Sequence, residues 1–385
     1  MAAPRIRRVD AALVGWTLLI KAGLLVLGVA AGWSALGGPP GILEPWQQWD
    51  APHFTDLAVF GYRADDPGTL VSPPGYEQQS PGELDRFIVF LPLYPWLVGA
   101  VNAVVGDPAG AAFAVSTVAS LFVGPFLYRL VAVDLGPAVA RWSVGLLLVF
   151  PTAFFLHIGY TESLFLALSF GSLWFARTGR WWVAAVLGGL AALTRIGGLV
   201  LAPALAVEAW LQWRGGSGRG ITAVVGPLAV LVGFSVYLGL NLSVYGDAFA
   251  FTEMQREYWD KRLAPPWEGI IGMVEMTRHE DPDWAFTLGW MELLFTAIGL
   301  AAAVATAAWL RPTWGVWMGG SWLLMMSTGY VQSVPRYSLA LLGIVAWLAL
   351  AANRWRALGW LAAVASAAVM AHFAWRFASS GIGPH

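Results

Sequence analysis

The sequence contains no cysteine, which excludes disulfides and thiolate-bound metal sites throughout its 385 residues. It is also poor in charge: 12% of its residues are Asp, Glu, Lys or Arg, where soluble domains have roughly 25%. The formal net charge of −1 excludes a broadly basic surface of the kind that binds nucleic acid. The shortage of charge indicates a protein that lies in a lipid bilayer.

Hydrophobic residues make up 58% of the chain and recur in long runs. A run of about 17–25 apolar residues forms a helix that crosses ~30 Å of hydrocarbon. The pattern therefore predicts an all-α polytopic membrane protein, a single domain over residues 1–385, with about 11 transmembrane helices. The predicted helices cover residues 11–36, 109–131, 139–157, 160–176, 181–194, 197–213, 222–245, 287–309, 313–330, 336–352 and 356–377.

The distribution of charge predicts the orientation of the chain in a cell membrane. Three arginines precede the first helix, which favours a cytoplasmic N-terminus because cytoplasmic segments are rich in Lys and Arg. The polar segments 37–86 and 246–286 carry most of the acidic residues, and we expect both to be external. Lys21 falls near the middle of the first helix, so it must face the bundle interior, pair or snorkel.

Residues 87–105 are apolar but contain Pro92 and Pro95, which remove backbone donors. If this stretch crosses the membrane, most basic joints between later helices fall outside; if it is re-entrant or interfacial, they fall inside. The positive-inside rule favours the second choice. Residues 37–105 are therefore predicted to be an external and interfacial catalytic loop, and 246–286 a second external loop.

Five ionisable residues lie at the predicted external mouth of the bundle: Asp50, His53, Glu162, Arg195 and Arg336. Ionisable groups at membrane depth are candidates for function because burying them is costly. Each has a structural alternative. Asp50 and Glu162 could cap helices, the arginines could form packing ion pairs, and His53 could be a loop histidine. The spacing of Asp50, His53 and a further Asp is too loose to predict a metal site, so none is predicted.

These residue types suit a sugar transfer. A carboxylate such as Asp50 can take the proton from an acceptor hydroxyl as it attacks the anomeric carbon. The guanidinium groups of Arg195 and Arg336 can bind the departing phosphate through two oxygens. Glu162 could orient the acceptor or tune Asp50. We therefore predict Asp50 and Glu162 as catalytic and the two arginines as phosphate-binding.

An ordered set of short motifs resembles the phosphatidylinositol-glycan class V mannosyltransferases and their bacterial relatives, which belong to the GT-C glycosyltransferases. The set covers most of the chain in the family's order. The motifs are Trp49-Asp50-Ala51-x-His53-Phe54 with Gly61-Tyr62, Phe90-Leu91-Pro92-Leu93-Tyr94-Pro95, Phe150-Pro151-Thr152-Ala153-Phe154-Phe155 with Tyr160-Thr161-Glu162-Ser163, Leu193-Thr194-Arg195-x-x-Gly198-Leu199, Phe251-x-x-x-Gln255-x-x-x-Trp259 and Pro335-Arg336-Tyr337.

The resemblance implies a multi-helix GT-C fold with an Asp in the first external loop as base. It also implies a polyprenyl-phosphate-mannose donor, inversion at the anomeric carbon, a glycolipid or glycoprotein acceptor, and catalysis without metal or cofactor. The spacer after Gly61-Tyr62 is longer than usual, and the acidic residue before the next motif could be Glu83 or Asp85. The expected substrate-binding residues are Trp49, His53, Tyr94, Tyr160, Gln255 and Trp259.

Two other functions remain open at the level of sequence. Broken helices and charges at the bilayer midplane also mark transporters, so a flippase of lipid-linked sugars is the main alternative. That alternative favours internal symmetry between halves, which the sequence does not display. A non-catalytic scaffold is the third reading, and it predicts that Asp50, Glu162, Arg195 and Arg336 lie far apart.

Overall fold

A computed structural model of the protein describes residues 3–62, 84–216 and 222–380. Apart from an isolated bridge between Leu263 and Thr328, the regular structure in these ranges is helical. The helices are α1 (Ala3–Leu36), α2 (Asp50–Phe60), α3 (Leu93–Val105), α4 (Pro108–Leu135), α5 (Pro137–Leu148), α6 (Glu162–Arg177), α7 (Trp181–Thr194), α8 (Leu201–Arg214), α9 (Thr222–Tyr245), α10 (Ala250–Trp259), α11 (Pro266–Met276), α12 (Pro282–Trp284), α13 (Glu292–Trp309), α14 (Pro312–Met326), α15 (Val334–Tyr337), α16 (Leu342–Arg354) and α17 (Arg356–Ser380), with a π-helical turn (Ala285–Met291) joining α12 to α13 and 3-10 turns at Glu44–Trp46, Leu84–Val89, Ala153–Leu156, Ile196–Val200 and Ser338–Ala340.

Six helical stretches in the described ranges are long and apolar enough to cross a membrane, and a bent pair, α15 with α16, makes a seventh if it counts as one span. Helices α3, α5 and α7 are apolar but shorter. The prediction of an all-α polytopic membrane protein is confirmed, whereas the predicted number of 11 spans is not. The six stretches are Val9–Ala35, Pro108–Leu135, Ile196–Arg214, Thr222–Tyr245, Pro282–Trp309 and Arg356–Ser379.

The stretch predicted to be re-entrant or interfacial forms a 3-10 turn followed by α3, which has 13 residues. At 1.5 Å per residue α3 is about 20 Å long, shorter than the ~30 Å hydrocarbon layer. Pro92 and Pro95 lie at the start of α3, where a missing backbone N–H costs little. Glu83 and the side chain of Asp85 lie outside the described residues, so that alternative stays open.

Both segments predicted to be external loops contain helices. Residues 37–62 hold α2, and residues 246–286 hold α10, α11, α12 and the start of the π-helical turn. Helix α10 forms because its sequence is amphipathic: Phe251 is buried against the core, whereas Glu253 and Arg256 are exposed.

Two predicted helices are broken in the structure. The helix predicted over 139–157 ends at Leu148, and the one predicted over 336–352 is split by a 72° bend between the α15 segment and α16. Pro151 follows the first break, and Pro335 lies in the first turn of α15, where proline is tolerated. The breaks matter because their loops supply the candidate site.

The cost of a lysine in the first spanning helix is met inside the bundle. Lys21 is 4% exposed, and its Nζ donates a hydrogen bond of 2.7 Å to the His157 carbonyl. The ammonium also lies 4.4 Å from the centre of the Phe113 ring, where a cation is attracted to the aromatic face. Lys21 therefore fastens α1 to the loop that follows α5.

Helices α7 and α9 pack with their backbones in close approach. A Cβ atom added to Gly233 would lie 2.1 Å from the Gly189 carbonyl oxygen, well inside any non-bonded distance. Apolar side chains gain little by leaving lipid, so membrane helices associate largely through van der Waals packing. Small residues at the contact let the two backbones approach closely enough for that packing. The α7–α9 contact thus requires glycine at position 233.

We expect Gly233→Ala to lower the stability of the protein by about 1–3 kcal/mol, because overpacking forces the two backbones apart. Gly239→Ala is the matched control in the same helix, since nothing lies within 4 Å of its added Cβ. Thermal unfolding in detergent, followed by tryptophan fluorescence, should show a lower melting temperature for the first variant alone. Equal melting temperatures would contradict the close contact.

Candidate active site

Four of the predicted site residues form one chain of ion pairs. The Nη1 atom of Arg336 donates to Oδ2 of Asp50 at 2.9 Å, and its Nε lies 3.1 Å from Oε1 of Glu162. The same Glu162 oxygen accepts from Nη1 of Arg195 at 2.5 Å. The structure therefore brings together four residues from widely separated parts of the sequence, in the order Asp50, Arg336, Glu162, Arg195.

Burial differs along this ion-pair chain. The side chains of Glu162 and Arg336 are only 5% and 7% exposed. Arg195 is 20% exposed and Asp50 is 25% exposed. Asp50 is thus the more open carboxylate, and Glu162 is the buried one that bridges two guanidinium groups.

Asp50 begins α2, where its negative charge is favourable to the helix dipole. The residue before it, Trp49, has a φ of +54°, in the left-handed region that side chains rarely adopt. The Tyr160 hydroxyl donates a hydrogen bond of 2.6 Å to the Gln48 carbonyl, which holds this turn from below. Trp49 itself is 42% exposed.

The Asp50 carboxyl is ionised at neutral pH. Burial by itself would raise its pKa, but the Arg336 guanidinium, with His53 and Arg195, holds the pKa below its ordinary value. A carboxylate in this state is an acceptor of protons and of hydrogen bonds. The same cations make it a weaker base than a free carboxylate.

Glu162 and Arg195 both lie at helix breaks. Glu162 is the first residue of α6, and Arg195 follows the last residue of α7. The Thr161 hydroxyl accepts a hydrogen bond of 2.8 Å from Nη1 of Arg195, which fixes the guanidinium from a second direction. The two breaks are therefore joined by two contacts of Arg195, one with Thr161 and one with Glu162.

Arg336 is held by its own short helix. Both carboxylate oxygens of Glu292 accept backbone N–H groups at 2.8 Å, one from Ser333 and one from Val334, at the start of α15. Ser333 has a φ of +75°, a conformation that needs such support. On the other side, the Thr152 hydroxyl donates to the Pro335 carbonyl at 2.8 Å.

Aromatic rings surround the Arg336 guanidinium. Its central carbon lies 5.1–5.5 Å from the ring centres of Phe155, Tyr160 and Tyr337. Tyr337 also faces Arg195, whose guanidinium carbon is 4.8 Å from that ring centre. Rings at these distances stabilise a cation without neutralising it.

His53 lies beside Asp50 but is not charged. Its ring stacks on Phe87 with 4.2 Å between ring centres, and Trp259 packs edge-on against Phe87 at 6.0 Å. Burial and the nearby Arg86 lower the pKa of His53 to about 4, although Asp50 acts in the opposite direction. The imidazole is therefore neutral at physiological pH.

The remaining predicted substrate-binding residues occupy different positions. Tyr94 and Tyr160 have no exposed surface, and the Tyr160 ring packs against the Arg336 guanidinium. The Tyr94 hydroxyl is 2.8 Å from Ser116 Oγ, which in turn donates to the Tyr160 carbonyl. Gln255 lies on α10, partly exposed, and its backbone carbonyl accepts a hydrogen bond from the Lys261 N–H. The structure thus places Trp49, His53 and Trp259 nearer the open side than the two tyrosines.

Glu292 and Thr161 were missed by the sequence analysis. Glu292 is fully buried in an otherwise apolar run, so the rule that selected Glu162 could also have found it. Thr161 carries no such signal, because threonine is common in membrane helices. Among the described residues, no group of three or more His, Asp or Glu is arranged to hold a metal ion.

Two cavities lie away from the ion-pair chain. One of about 340 Å³ lies between α11 and residues 329–331. The other, a groove of about 540 Å³ with an apolar lining, runs between α5, α13, α16 and α17. Its lining includes Phe150 and Pro151, which precede Thr152, the residue that contacts the Arg336 turn.

No protein-family model and no curated protein matches the sequence. Solved structures with the same fold do exist. ArnT from Cupriavidus metallidurans, bound to undecaprenyl phosphate, has a TM-score of 0.53 and 16% identity over 92% of this chain and 63% of its own. The Archaeoglobus fulgidus oligosaccharyltransferase, tethered with an acceptor peptide, has a TM-score of 0.51 and 13% identity over 96% of this chain and 56% of its own.

A second structure from that archaeon, AglB in complex with an inhibitory peptide and a dolichol-phosphate, has a TM-score of 0.50 and 11% identity. All three are GT-C glycosyltransferases, so this chain has the GT-C fold. It spans less than two thirds of each of these longer chains. The resemblance to the class V mannosyltransferases stays a prediction.

We expect Glu292→Ala to lower stability by about 2–6 kcal/mol, because it leaves two buried N–H groups without acceptors at about 1–3 kcal/mol each. Glu292→Gln should fall between this variant and wild type, since an amide has one acceptor oxygen. Glu275→Ala is the exposed control and should change stability by about 0.5 kcal/mol or less. Unfolding in detergent measures all three, and a Glu292→Ala variant as stable as the control would show that α15 does not depend on this carboxylate.

Proposed function

We propose that the protein is a membrane glycosyltransferase that moves a hexose, mannose, from a polyprenyl-phosphate donor to a glycolipid or glycoprotein acceptor on the extracytoplasmic side. The observation that carries this proposal is the Asp50 carboxylate, held by Arg336 at the open end of a buried ion-pair chain. The GT-C fold adds weight, because the neighbours of known structure with this fold are glycosyltransferases. Mannose and the acceptor class rest on the resemblance of the motifs.

The reaction requires one proton acceptor and one departing phosphate. The acceptor hydroxyl oxygen attacks the anomeric carbon, its proton passes to Asp50, and the carbon–oxygen bond to the phosphate breaks. The electron pair of that bond leaves with the polyprenyl phosphate. Because the hydroxyl attacks from the face opposite the phosphate in a single displacement, the anomeric configuration is inverted. Arg336 orients the carboxylate and keeps it ionised until the proton arrives.

Glu162 supports the ion pair of Asp50 and Arg336 from the buried side of the site. It is nearly buried and bridges Arg336 and Arg195, so it holds both guanidinium groups against the loss of hydration. We propose that Glu162 acts through Arg336 on Asp50, as the sequence analysis allowed, and that the free N–H groups of Arg195 and Arg336 face the donor phosphate. Trp49, His53 and Trp259 would line the sugar side, with Gln255 at its edge.

The apolar groove between α5, α13, α16 and α17 supports a lipid-linked donor. Its volume of about 540 Å³ suits part of an isoprenoid chain, and its lining is almost wholly hydrocarbon and aromatic. Phe150 and Pro151 line the groove, and the next residue, Thr152, contacts the turn that carries Arg336. A chain lying there would bring its phosphate end towards the ion-pair chain.

We expect Asp50→Asn to fold and to lose transfer by about 10²–10⁴-fold, because the amide still accepts from Arg336 but cannot take a proton. Asp247→Asn is the control: its exposed side chain caps the Phe249 N–H, which an amide oxygen also does. Transfer is measured in membranes supplied with radiolabelled polyprenyl-phosphate-mannose. Unchanged transfer in Asp50→Asn rejects Asp50 as base. If the purified protein in liposomes moves the sugar-lipid across the bilayer without forming a new glycosidic bond, the flippase is favoured instead.

We expect Ala301→Phe, which fills the groove, to raise KM for a long-chain donor more than for a short-chain analogue. Val304→Phe is the matched control, since Val304 is 60% exposed and does not line the groove. The two donors are compared in the same transfer assay. An equal effect of both variants on both donors would show that the lipid chain of the donor does not occupy the groove.

A further inference from the structure

The ion-pair chain carries no net charge. Two guanidinium groups, of Arg195 and Arg336, are matched by the two carboxylates of Asp50 and Glu162. A lipid-linked donor adds a negative phosphate, and the departing product carries one more ionisable oxygen. In a site of low dielectric constant, that charge needs a cation that is not already neutralised.

Among the described residues, the Lys261 side chain is a cation outside the ion-pair chain that forms no ion pair, and the loop that carries it is held against the Arg336 segment. Leu263 forms a bridge with Thr328, and the Gly329 N–H donates to the Arg262 carbonyl at 3.0 Å. Asp260 has a φ of +52°, which turns the chain sharply after α10. Lys261 therefore has a defined place beside the segment that leads to α15.

The loop lies between the two halves of the candidate site. On one side, Trp259 packs edge-on against Phe87 at 6.0 Å, and Phe87 stacks on His53 next to Asp50. On the other side, the Lys261 ammonium is close enough to act electrostatically on Glu292 and on Tyr337, the neighbour of Arg336. Residues 259–261 thus run from the Asp50 side to the Arg336 side.

Lys261 also differs from its neighbouring cations. Its side chain is partly buried, yet within residues 3–62, 84–216 and 222–380 it makes no ion pair and no hydrogen bond. Arg262 pairs with Glu268 at 2.6 Å, and Arg256 lies 3.7 Å from Glu253 on the exposed face of α10. On the His53 side, Arg86 packs over the rings of Phe87 and Tyr258.

We propose that Lys261 binds the phosphate of the lipid-linked donor and supplies the positive charge that the neutral ion-pair chain lacks. The ligand chemistry is a phosphate ester on an isoprenoid alcohol. This proposal rests on the proposed function, and it assigns the phosphate to the loop after α10 together with the free N–H groups of Arg195 and Arg336. A solvated loop lysine with no ligand is the competing account.

The test measures binding by the full chain in nanodiscs, with undecaprenyl phosphate and the uncharged alcohol undecaprenol as probes. Wild type should bind the phosphate at least about tenfold more tightly than the alcohol, since one charge-assisted contact contributes about 1.5–3 kcal/mol. Lys261→Met should lose most of that preference, and Lys261→Arg should keep it. Arg256→Met, which removes a nearby exposed cation of the same charge, is the control and should bind like wild type.

Transfer kinetics give an independent readout. Lys261→Met should raise KM for the donor more than it lowers kcat, with rescue by Lys261→Arg, while the melting temperature stays at the wild-type value. A Lys261→Met variant that keeps its preference for the phosphate overturns the proposal, even if the protein transfers sugar. If wild type prefers the phosphate and only Lys261→Met loses this, but no sugar is ever transferred, the lysine site stands and the transferase does not.

Discussion

The ion pairs of Arg336 are the interaction on which the rest of the site depends. One guanidinium holds Asp50 and Glu162 at once, and Arg195 balances the second carboxylate. Moving a charge from water into the protein interior costs several kcal/mol. Removing one partner of a buried ion pair costs about 3–5 kcal/mol. Because the four charges cancel, the group can lie inside an apolar bundle, yet each member depends on the others.

The ion pairs form where helices are interrupted. Non-helical backbone is tolerated inside a membrane only where protein covers it. The structure meets this condition with side chains that satisfy the broken segments. Glu292 accepts the N–H groups at the start of α15, Thr152 donates to Pro335, and Tyr160 donates to Gln48. The hydrogen bonds that stabilise these helix breaks also orient Arg336 and Asp50 towards each other.

The four charged residues could be identified from the sequence because ionisable groups near apolar runs are conspicuous. The fold class could be predicted because the hydrophobic runs are long and charge is scarce. Helix ends were less predictable. Proline alone did not reveal that the helix predicted over 336–352 bends by 72°, since Pro335 lies in the first turn of α15 and the bend comes after Ala340. The interfacial or external placement of residues 37–105 stays a prediction.

Lys261 illustrates why charge alone is a poor guide to function. In the sequence it is one cation in a polar segment, next to Arg262 and close to several acids. In the structure its side chain forms no ion pair with the described residues, and it lies between Trp259 and the segment that leads to the Arg336 turn. Both are properties of packing and cannot be read from spacing.

The sequence by itself determined that the chain is helical, apolar and built for a bilayer, and it marked Asp50, Glu162, Arg195 and Arg336 as unusual. These conclusions follow from local composition, which sets the transfer free energy of each segment. Only the tertiary structure decided which carboxylate meets which guanidinium and which of the two carboxylates stays more exposed. Those outcomes depend on contacts between segments far apart in the chain, where burial and pairing are settled by packing.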